Sequence, residues 1–301
     1  MERVGFIGAG AVGSALARAL SRRGYQVVAV ASASGLSARR LASHLPNCLP
    51  VETGQAVAQA AETVFLTVPD RIIPQVAAEV HWSPAHQVIH CSGATPLEAL
   101  DPAARQGART GVFHPLNSFS TSDPEAGCRW VRESFFAVES HDRAFLAELK
   151  ALAHALGQGA IEIPGKWRPL YHATAVLVSN YLVALAATAA GLWSEFGVER
   201  TTALSALLPL IRGTCRNLEV YGLPAALTGP IARGDAETVA SHLSALADYP
   251  SVLELYTALG VAALPLAQEK GGLTEKAAAS LRKLFAEKRT PGKGGAAEWD
   301  A

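Results

Sequence analysis

The chain has 301 residues, of which half are apolar and only 17% are charged. This length accommodates two domains of ordinary size, and the composition favours buried cores over disorder. Lysine and arginine balance aspartate and glutamate at 26 each, which argues against a nucleic-acid binder and favours a small-molecule ligand. The four cysteines form no CxxC pair and have no histidine at zinc-ligand spacing, so neither a metal site nor a disulfide framework is expected.

A glycine-rich turn follows the first apolar run of the chain. Residues 4–7 have the composition of a buried strand, residues 14–23 favour a helix, and between them stands Gly8-Ala9-Gly10-Ala11-Val12-Gly13, a GxGxxG pattern. In this context Gly8 permits a tight turn, Gly10 lets the backbone approach a pyrophosphate, and Gly13 lets the helix pack on the strand. The pattern predicts a dinucleotide site formed by these six residues. The alternative is a glycine-rich turn without a ligand.

The N-terminal half alternates short β-rich runs with Ala-rich amphipathic stretches, which is typical of βαβ units and a parallel sheet. We predict strands at 3–8, 26–31, 63–68, 87–91, 109–113, 134–139 and 159–163. Helices are predicted at 11–23, 36–44, 54–61, 70–80 and 141–156. The pattern indicates a doubly wound α/β Rossmann domain over residues 1–164.

The end of the second predicted strand bears on cofactor choice. NAD-selective folds place an acidic residue there to hold the ribose 2′-hydroxyl. Here the sequence reads Ala31-Ser32-Ala33-Ser34, and Arg39 and Arg40 lie just downstream. No carboxylate repels a 2′-phosphate, Ser32 and Ser34 can donate hydrogen bonds to it, and Arg39 can pair with it, so NADP is predicted rather than NAD. The alternative is that the arginines only solvate a helix.

Ligands of doubly wound sheets bind at the carboxyl ends of the strands. Three junctions of this kind stand out, at Val68-Pro69, at Ser92 and at His114. Val68 and Pro69 are predicted to shape a turn beside the nicotinamide. Ser92 is either a contact to nicotinamide or substrate or a turn residue beside Gly93. His114 either positions the substrate and donates a proton or satisfies nearby backbone groups.

After residue 164 the strand signals stop, and helices are predicted at 169–196, 200–220, 235–247, 250–269 and 273–288. We expect an all-α substrate and dimerisation domain over residues 165–289 and a mobile tail over 290–301. The first of these helices has no charged residue between Arg168 and Glu195, which satisfies a length test for a membrane span. Its Ala- and Thr-rich composition, with no basic flanking loops, favours instead a helix buried in a domain or dimer core.

Polar residues interrupt the apolar surface of that helix along one stripe. His172, Ser179 and Asn180 fall within roughly 100° of arc on a continuous helix. A buried Asn180 amide needs hydrogen-bond partners, which a ligand or the protein itself can supply. His172 and Asn180 are therefore candidate site residues, and Tyr171 stands beside them.

The motifs together resemble a known group of two-domain Rossmann-like oxidoreductases with a helical C-terminal domain of formerly unknown function. This group is similar to pyrroline-5-carboxylate reductase, to 6-phosphogluconate-type dehydrogenases and to an alternative class of ketopantoate reductase. The resemblance rests on the following segments: Gly8 to Gly13, Val68 to Asp70, His90 to Gly93, Phe113 to Phe119, Tyr171 to Tyr181, and Thr228 to Asp235. It implies a homodimer and a site contacted by Ser92, His114, His172 and Asn180.

One feature departs from the related hydroxyacid dehydrogenases, which place a catalytic lysine a few residues before an asparagine on the long helix. Here Val176-Leu177-Val178-Ser179 precede Asn180, so this lysine is absent.

From the motifs and the resemblance we expect a cytoplasmic oxidoreductase that transfers hydride between NADPH and a small carbonyl or imine compound, with His114 or His172 as proton relay. The alternatives are an NADP-binding sensor or scaffold without turnover and an interaction protein without a cofactor. Nucleic acid and membrane are not expected as partners.

Overall fold

A computed structural model describes residues 3–119 and 124–288. The chain divides into two compact units, Met1–Leu182 and Val183–Ala301. The division between these units falls later in the chain than residue 164, because the first turn of the helix that follows is held by the sheet-bearing unit. The domain boundary at residue 164 stays a prediction, and the predicted tail at 290–301 lies outside the described residues.

Eight strands in the described part of the N-terminal unit form one sheet in the order β3-β2-β1-β4-β5-β6-β7-β8. Their bounds are β1 Arg3–Ile7, β2 Gln26–Ala31, β3 Leu49–Val51, β4 Thr63–Leu66, β5 Gln87–His90, β6 Arg109–Leu116, β7 Phe135–Glu139 and β8 Gly159–Glu162. Neighbouring strands are parallel except β6 and β7, which are antiparallel. The strand order reverses between β1 and β4, the position where doubly wound sheets bind their ligands.

Helices cover both faces of this sheet. They are α1 Ala11–Arg22, α2 Leu36–Ala42, α3 Gly54–Ala60, α4 Ile73–Glu79, α5 Asp101–Ala104, α6 Pro124–Glu133 and α7 Arg143–Leu156. Successive strand residues point to opposite faces, so Phe6 and Phe65 belong to one buried apolar cluster while Ile7 and Leu66 belong to another. The predicted doubly wound α/β fold is confirmed.

All seven predicted strands are present, but three elements of this unit were missed: β3, the four-residue helix α5, and α6. The strand β3 is three residues long, contains Pro50 and lies at the sheet edge, where proline is tolerated. The helix α6 carries Gly127, Cys128 and Trp130, which are weak helix formers. The strand β3 is too short to show a strand period, and α6 was missed although Ala126, Trp130 and Val131 have the spacing of one helix face.

The C-terminal half is helical, as predicted. Its helices are α8 Arg168–Val178, α9 Asn180–Gly191, α10 Arg200–Tyr221, α11 Pro230–Arg233, α12 Ala236–Ala245, α13 Pro250–Glu269 and α14 Glu275–Lys288. The buried core of the second unit includes Val239, Leu264 and Phe285. The predicted single helix 169–196 is distorted at one residue, Ser179 (φ −111°, ψ −75°), which separates α8 from α9 while its N–H still donates to the Ala175 carbonyl at 3.0 Å. The 100° arc assumes a regular helix, from which Ser179 departs locally.

The apolar surfaces of α8 and α9 are exposed in the single chain, so of the two predicted alternatives a domain core does not apply, and burial in a dimer core stays a prediction. Val178 and Val183 are 75% and 71% exposed. By length and composition alone, two segments of the described chain would pass as membrane spans, Gly165–Phe196 and Pro250–Glu269. A test of this kind also selects apolar helices of soluble proteins, so it decides nothing by itself.

Candidate active site

The first βα turn has a backbone geometry that favours glycine at its first position. Gly8 has φ +110°, and its N–H donates to the Ala31 carbonyl at 2.8 Å. A Cβ atom at Gly8 would lie 2.5 Å from the Thr67 carbonyl carbon and oxygen. Both the dihedral angle and the lack of space require a residue without a side chain here.

Gly10 and Gly13 differ in their surroundings, as the GxGxxG pattern predicts. No heavy atom lies within 4 Å of a Cβ built on Gly10, whereas one built on Gly13 would lie 2.4 Å from Thr67 Oγ1 and 2.7 Å from the Gly8 carbonyl oxygen. Gly10 is the N-cap of α1 and provides no side-chain cap. The start of α1 is thus open at Gly10 and has no side-chain cap, which is the arrangement expected of a pyrophosphate site.

Thr67 completes this turn, although it was not among the predicted site residues. Its hydroxyl donates to the Gly8 carbonyl at 2.8 Å and also packs against Gly13. The residue directly follows β4, so its position at a strand end was the signal that pointed to it. Thr67 holds the glycine turn in place from the neighbouring strand.

The residues after β2 form a short loop before α2. The Ala38 N–H donates to Ser32 Oγ at 3.0 Å, and the Ser32 hydroxyl keeps its own proton for a further acceptor. A Cβ built on Gly35 would lie 3.6 Å from both terminal nitrogens of Arg39, so the guanidinium lies over this loop. Ser34 is exposed. This arrangement brings Ser32 and Arg39 to the same loop, as the NADP interpretation requires.

Two predicted histidines meet at the carboxyl ends of β5 and β6. A Cβ built on Gly93 would lie 2.9 Å from His114 Nε2 and 3.1 Å from His172 Nδ1, so both imidazoles pack on the Gly93 backbone. His114 Nδ1 lies 2.8 Å from Tyr171 Oη, and either atom can donate, depending on the tautomer. The His114 and Tyr171 rings meet edge to face, with centroids 5.7 Å apart. His114 thus pairs with a side chain and not with the backbone.

A buried ion pair connects α8 to the sheet behind these histidines. Arg168 is fully buried, and its Nε donates to Glu139 Oε2 at 2.8 Å. The other carboxylate oxygen of Glu139 accepts from the Gly165 N–H. Among the residues that the structure describes, neither terminal nitrogen of Arg168 has a hydrogen-bond partner. Neither residue was among the predicted site residues, because their separation of 29 residues in the chain gives no local signal of the contact.

Burial and this positive charge keep the neighbouring imidazoles neutral. Burial lowers the pKa of His90 to about 3, and Arg168 lowers it further. Burial likewise lowers the pKa of His114 to about 4, and the charges of Arg168 and His172 add to this effect. Burial raises the pKa of Tyr171 to about 12, although Arg168 acts in the opposite direction. At neutral pH the His90 and His114 side chains are therefore uncharged and Tyr171 holds its proton.

The remaining predicted site residues have different surroundings. Ser92 Oγ accepts from the N–H groups of Ala94 and Thr95, so a turn role is observed and a ligand contact stays a prediction. Val68 is half-buried and Pro69 is exposed after β4. Asn180 is exposed at the start of α9, which corrects the expectation of a buried amide. In the described ranges no group of three or more His, Cys, Asp or Glu residues could hold a metal ion.

Family models match two consecutive parts of the chain. Residues 2–115 match the Rossmann-like domain, and residues 134–263 match a domain of unknown function, DUF2520. The chain therefore combines a Rossmann-like domain with a DUF2520 domain, in agreement with the resemblance stated from its motifs. A comparison with curated protein sequences finds no match.

Several solved structures share this fold over nearly their whole length. A Bacteroides fragilis protein, provisionally assigned as an NADP oxidoreductase, is 26% identical with a TM-score of 0.67, covering 88% of this chain and 98% of that one. A Thermotoga maritima protein is 23% identical with a TM-score of 0.65, covering 95% and 100%. Plasmodium falciparum pyrroline carboxylate reductase with NADP bound is 15% identical with a TM-score of 0.57, covering 90% and 97%.

Proposed function

We propose that this protein is an NADP-dependent reductase that acts on a small carbonyl or imine compound of the ketopantoate-like or pyrroline-carboxylate-like kind. The observation that carries the proposal is the open, uncapped start of α1 at Gly10, in the same sheet-bearing unit as the histidines at Gly93. The Bacteroides protein is assigned as an NADP oxidoreductase and the Plasmodium protein as a pyrroline carboxylate reductase, which supports the class of NADP-dependent reductases.

The cofactor is held by residues that follow β1, β2 and β4. Gly8 to Gly13 receive the pyrophosphate, Ser32, Ser34 and Arg39 contact the 2′-phosphate, and Val68 and Pro69 border the nicotinamide. NADPH, when bound, supplies the hydride. Ser92, His114, His172 and Asn180 orient the substrate, and one of the two histidines relays a proton to the reduced atom.

Arg39→Ala tests the choice of cofactor. An exposed guanidinium that pairs with a phosphate contributes about 1.5 kcal/mol, so the variant should bind NADPH roughly tenfold more weakly while its affinity for NADH is unchanged. Arg40→Ala is the matched control, because Arg40 is the adjacent exposed arginine of α2 and is expected to change neither affinity. Equal losses for both cofactors in Arg39→Ala would contradict the 2′-phosphate contact. Calorimetric titration measures all four values.

Transfer of deuterium from C4-labelled NADPH tests the activity itself. The two probes are ketopantoate and pyrroline-5-carboxylate, followed by mass spectrometry of the product, with a panel of small ketones and imines beyond them. Deuterium in one product supports the reductase and identifies its substrate type. NADP binding without transfer to any acceptor would instead identify a sensor or scaffold protein. If neither NADP nor NAD changes the melting temperature, an interaction protein without a cofactor is the remaining interpretation.

We further propose that the protein is a cytoplasmic homodimer. The exposed apolar surface of α8 and α9 supports a partner of apolar character, and a second copy of this chain supplies one. A dimer that covers this surface makes α8 and α9 inaccessible to a membrane, which agrees with the Ala- and Thr-rich composition of the segment.

A further inference from the structure

We infer that Tyr171 is the catalytic acid of the proposed reduction and that His114 replaces the proton that Tyr171 gives up. The contact that carries this inference is the 2.8 Å distance between Tyr171 Oη and His114 Nδ1, in the group of side chains that packs on Gly93. The inference rests on the proposed function and names a residue that the proposed mechanism leaves out.

Reduction of a carbonyl leaves negative charge on its oxygen, and a nearby acid must neutralise it. An imidazolium at His114 is a poor source of this proton. With a pKa of about 4, only about one His114 side chain in a thousand is charged at pH 7. His90 has a still lower pKa, about 3, and its Nδ1 is already occupied by the Ser92 N–H.

Tyr171 carries a proton at every pH at which the protein is expected to work. Burial holds its pKa near 12, so the phenol stays neutral until a stronger base is present. The alkoxide that forms on reduction is a stronger base than a phenolate. Proton transfer from Tyr171 to that oxygen is therefore downhill, and transfer to water is not.

The step balances through the two side chains. As hydride reaches the carbonyl carbon, the electron pair of the C=O π bond moves onto oxygen, and this oxygen takes the proton of Tyr171 Oη. Tyr171 Oη takes the proton of His114 Nδ1, and His114 Nε2 takes one from water. His114 ends as the other neutral tautomer, so the ring never becomes a cation. The net consumption is one hydride and one solvent proton per product.

Arg168 is a positioning residue for this pair. Its buried guanidinium lowers the pKa of Tyr171 against the effect of burial, which stabilises the phenolate while it waits for the His114 proton. Glu139 accepts a hydrogen bond from Arg168 Nε and so fixes the guanidinium. The two terminal nitrogens of Arg168 have no hydrogen-bond partner in the part of the chain that the structure describes. One ion pair thus keeps the charge beside the proposed acid.

Tyr171→Phe tests the assignment of Tyr171 as the acid, and a second tyrosine–histidine pair in the same chain provides a control with similar geometry. Tyr256 Oη lies 2.8 Å from His242 Nδ1, and these rings also meet edge to face, with centroids 5.8 Å apart. Tyr256→Phe removes the same kind of hydrogen bond from the helical unit. We expect Tyr171→Phe to lower kcat by roughly 10²- to 10⁴-fold with little change in KM, and Tyr256→Phe to leave kcat unchanged.

The outcomes separate the inference from the proposed function. If the wild-type protein transfers deuterium to a probe and Tyr171→Phe does so at the same rate, Tyr171 is not the acid although the protein is a reductase. If the wild-type protein transfers deuterium to none of the probes, the proposed reductase activity fails, and the inference fails with it.

A second readout does not depend on turnover. Protein labelled with ¹³Cζ-tyrosine gives signals for its six tyrosines, and the Tyr171 signal is identified by its loss in Tyr171→Phe. Addition of NADP⁺ places a positively charged nicotinamide near the cluster, so the Tyr171 signal should shift and its pKa should fall, while the Tyr256 signal stays constant. A Tyr171 signal that is indifferent to saturating NADP⁺ overturns the assignment.

Discussion

Gly10 and Gly13 lie three residues apart, yet a methyl group would meet opposite surroundings at the two positions. At Gly13 the added atom would lie 2.4 Å from Thr67 Oγ1 and 2.7 Å from the Gly8 carbonyl oxygen, and at Gly10 it would meet nothing within 4 Å. The packing of the turn therefore requires glycine at position 13, whereas position 10 is open, as the proposed pyrophosphate contact needs.

Alanine substitutions separate these two roles. Gly13→Ala should lower the free energy of unfolding by about 1–3 kcal/mol because it overpacks the turn. Gly10→Ala should leave that free energy within about 0.5 kcal/mol of wild type and weaken NADPH binding, because its methyl group occupies the space of the pyrophosphate. Gly191→Ala, with an equally open Cβ position away from the turn, is the control. Urea titration and calorimetry measure the two quantities, and a fully stable Gly13→Ala protein would contradict the packing role.

The neutral histidines predict acid sensitivity. In His90 and His114 the folded pKa values, about 3 and about 4, lie below the ordinary histidine value of 6.5. Between pH 6.5 and the folded pKa values, the unfolded chain binds more protons than the folded protein does. The contribution of the two histidines to the free energy of unfolding is therefore complete above pH 6.5, falls as the pH falls, and is lost below the folded pKa values. Each fully buried histidine contributes a slope of up to about 1.4 kcal/mol per pH unit.

His90 is completely buried and should account for most of this slope, whereas partial exposure moderates the effect of His114. Urea midpoints measured from pH 7 to pH 4.5 should decrease steadily in the wild-type protein. His90→Asn retains an acceptor for the Ser92 N–H and removes the titrating group, so its midpoint should depend less on pH. An equally steep dependence in that variant would assign the effect to other groups.

At the level of elements, the ion pair between Glu139 at the end of β7 and Arg168 in the first turn of α8 attaches the first helix of the C-terminal half to the sheet. Glu139→Ala leaves the buried guanidinium without its anion, and removal of one partner of a buried pair costs about 3–5 kcal/mol. We expect a corresponding loss in the free energy of unfolding, measured by urea titration.

The surface pair between Lys150 and Glu162 provides the comparison, since its members are 41% and 48% exposed. Glu162→Ala should cost at most about 1 kcal/mol. Similar losses in the two variants would show that the Glu139 side chain is better solvated than its burial indicates.

The sequence predicted elements well where a strong period was present and poorly where it was not. The central strands of the sheet are continuous apolar runs, so their positions were correct, and the glycine turn identified the first of them. The edge strand β3 and the helix α5 are too short to show a period, and the weak helix formers of α6 obscured that helix. No proline or glycine marks the distortion at Ser179, so the sequence predicted a regular helix there.

The site was predicted only in part, because its contacts join residues far apart in the chain. Position after a strand pointed to His114 and Ser92. No local pattern brings Tyr171 to His114 across 57 residues, or Arg168 to Glu139 across 29. These pairings follow from the way α8 returns to the sheet, which the spacing of residues in the sequence does not express.

For the whole molecule, the exposed surface of α8 and α9 makes the oligomeric state the decisive measurement. Light scattering should give twice the chain mass of 31.4 kDa. Val183→Glu places a charge on this surface and should shift the protein toward monomer. Leu49→Glu changes a similarly exposed apolar residue of β3 (65% exposed) and should leave the mass unchanged. A wild-type monomer, or recovery in the membrane fraction, would contradict the proposed dimer.

The central position of β1 has a consequence for the synthesis of the protein. This strand pairs with β2 on one side and with β4 on the other, and its second partner begins only at Thr63. At ~5–20 residues per second, several seconds separate the translation of the two strands. During that time Val4 and Phe6 lack half of their final surroundings. The strand β1 is thus completed only after β2 and β3, and chaperones that shield short apolar segments would find a target at the residues that later support the glycine turn.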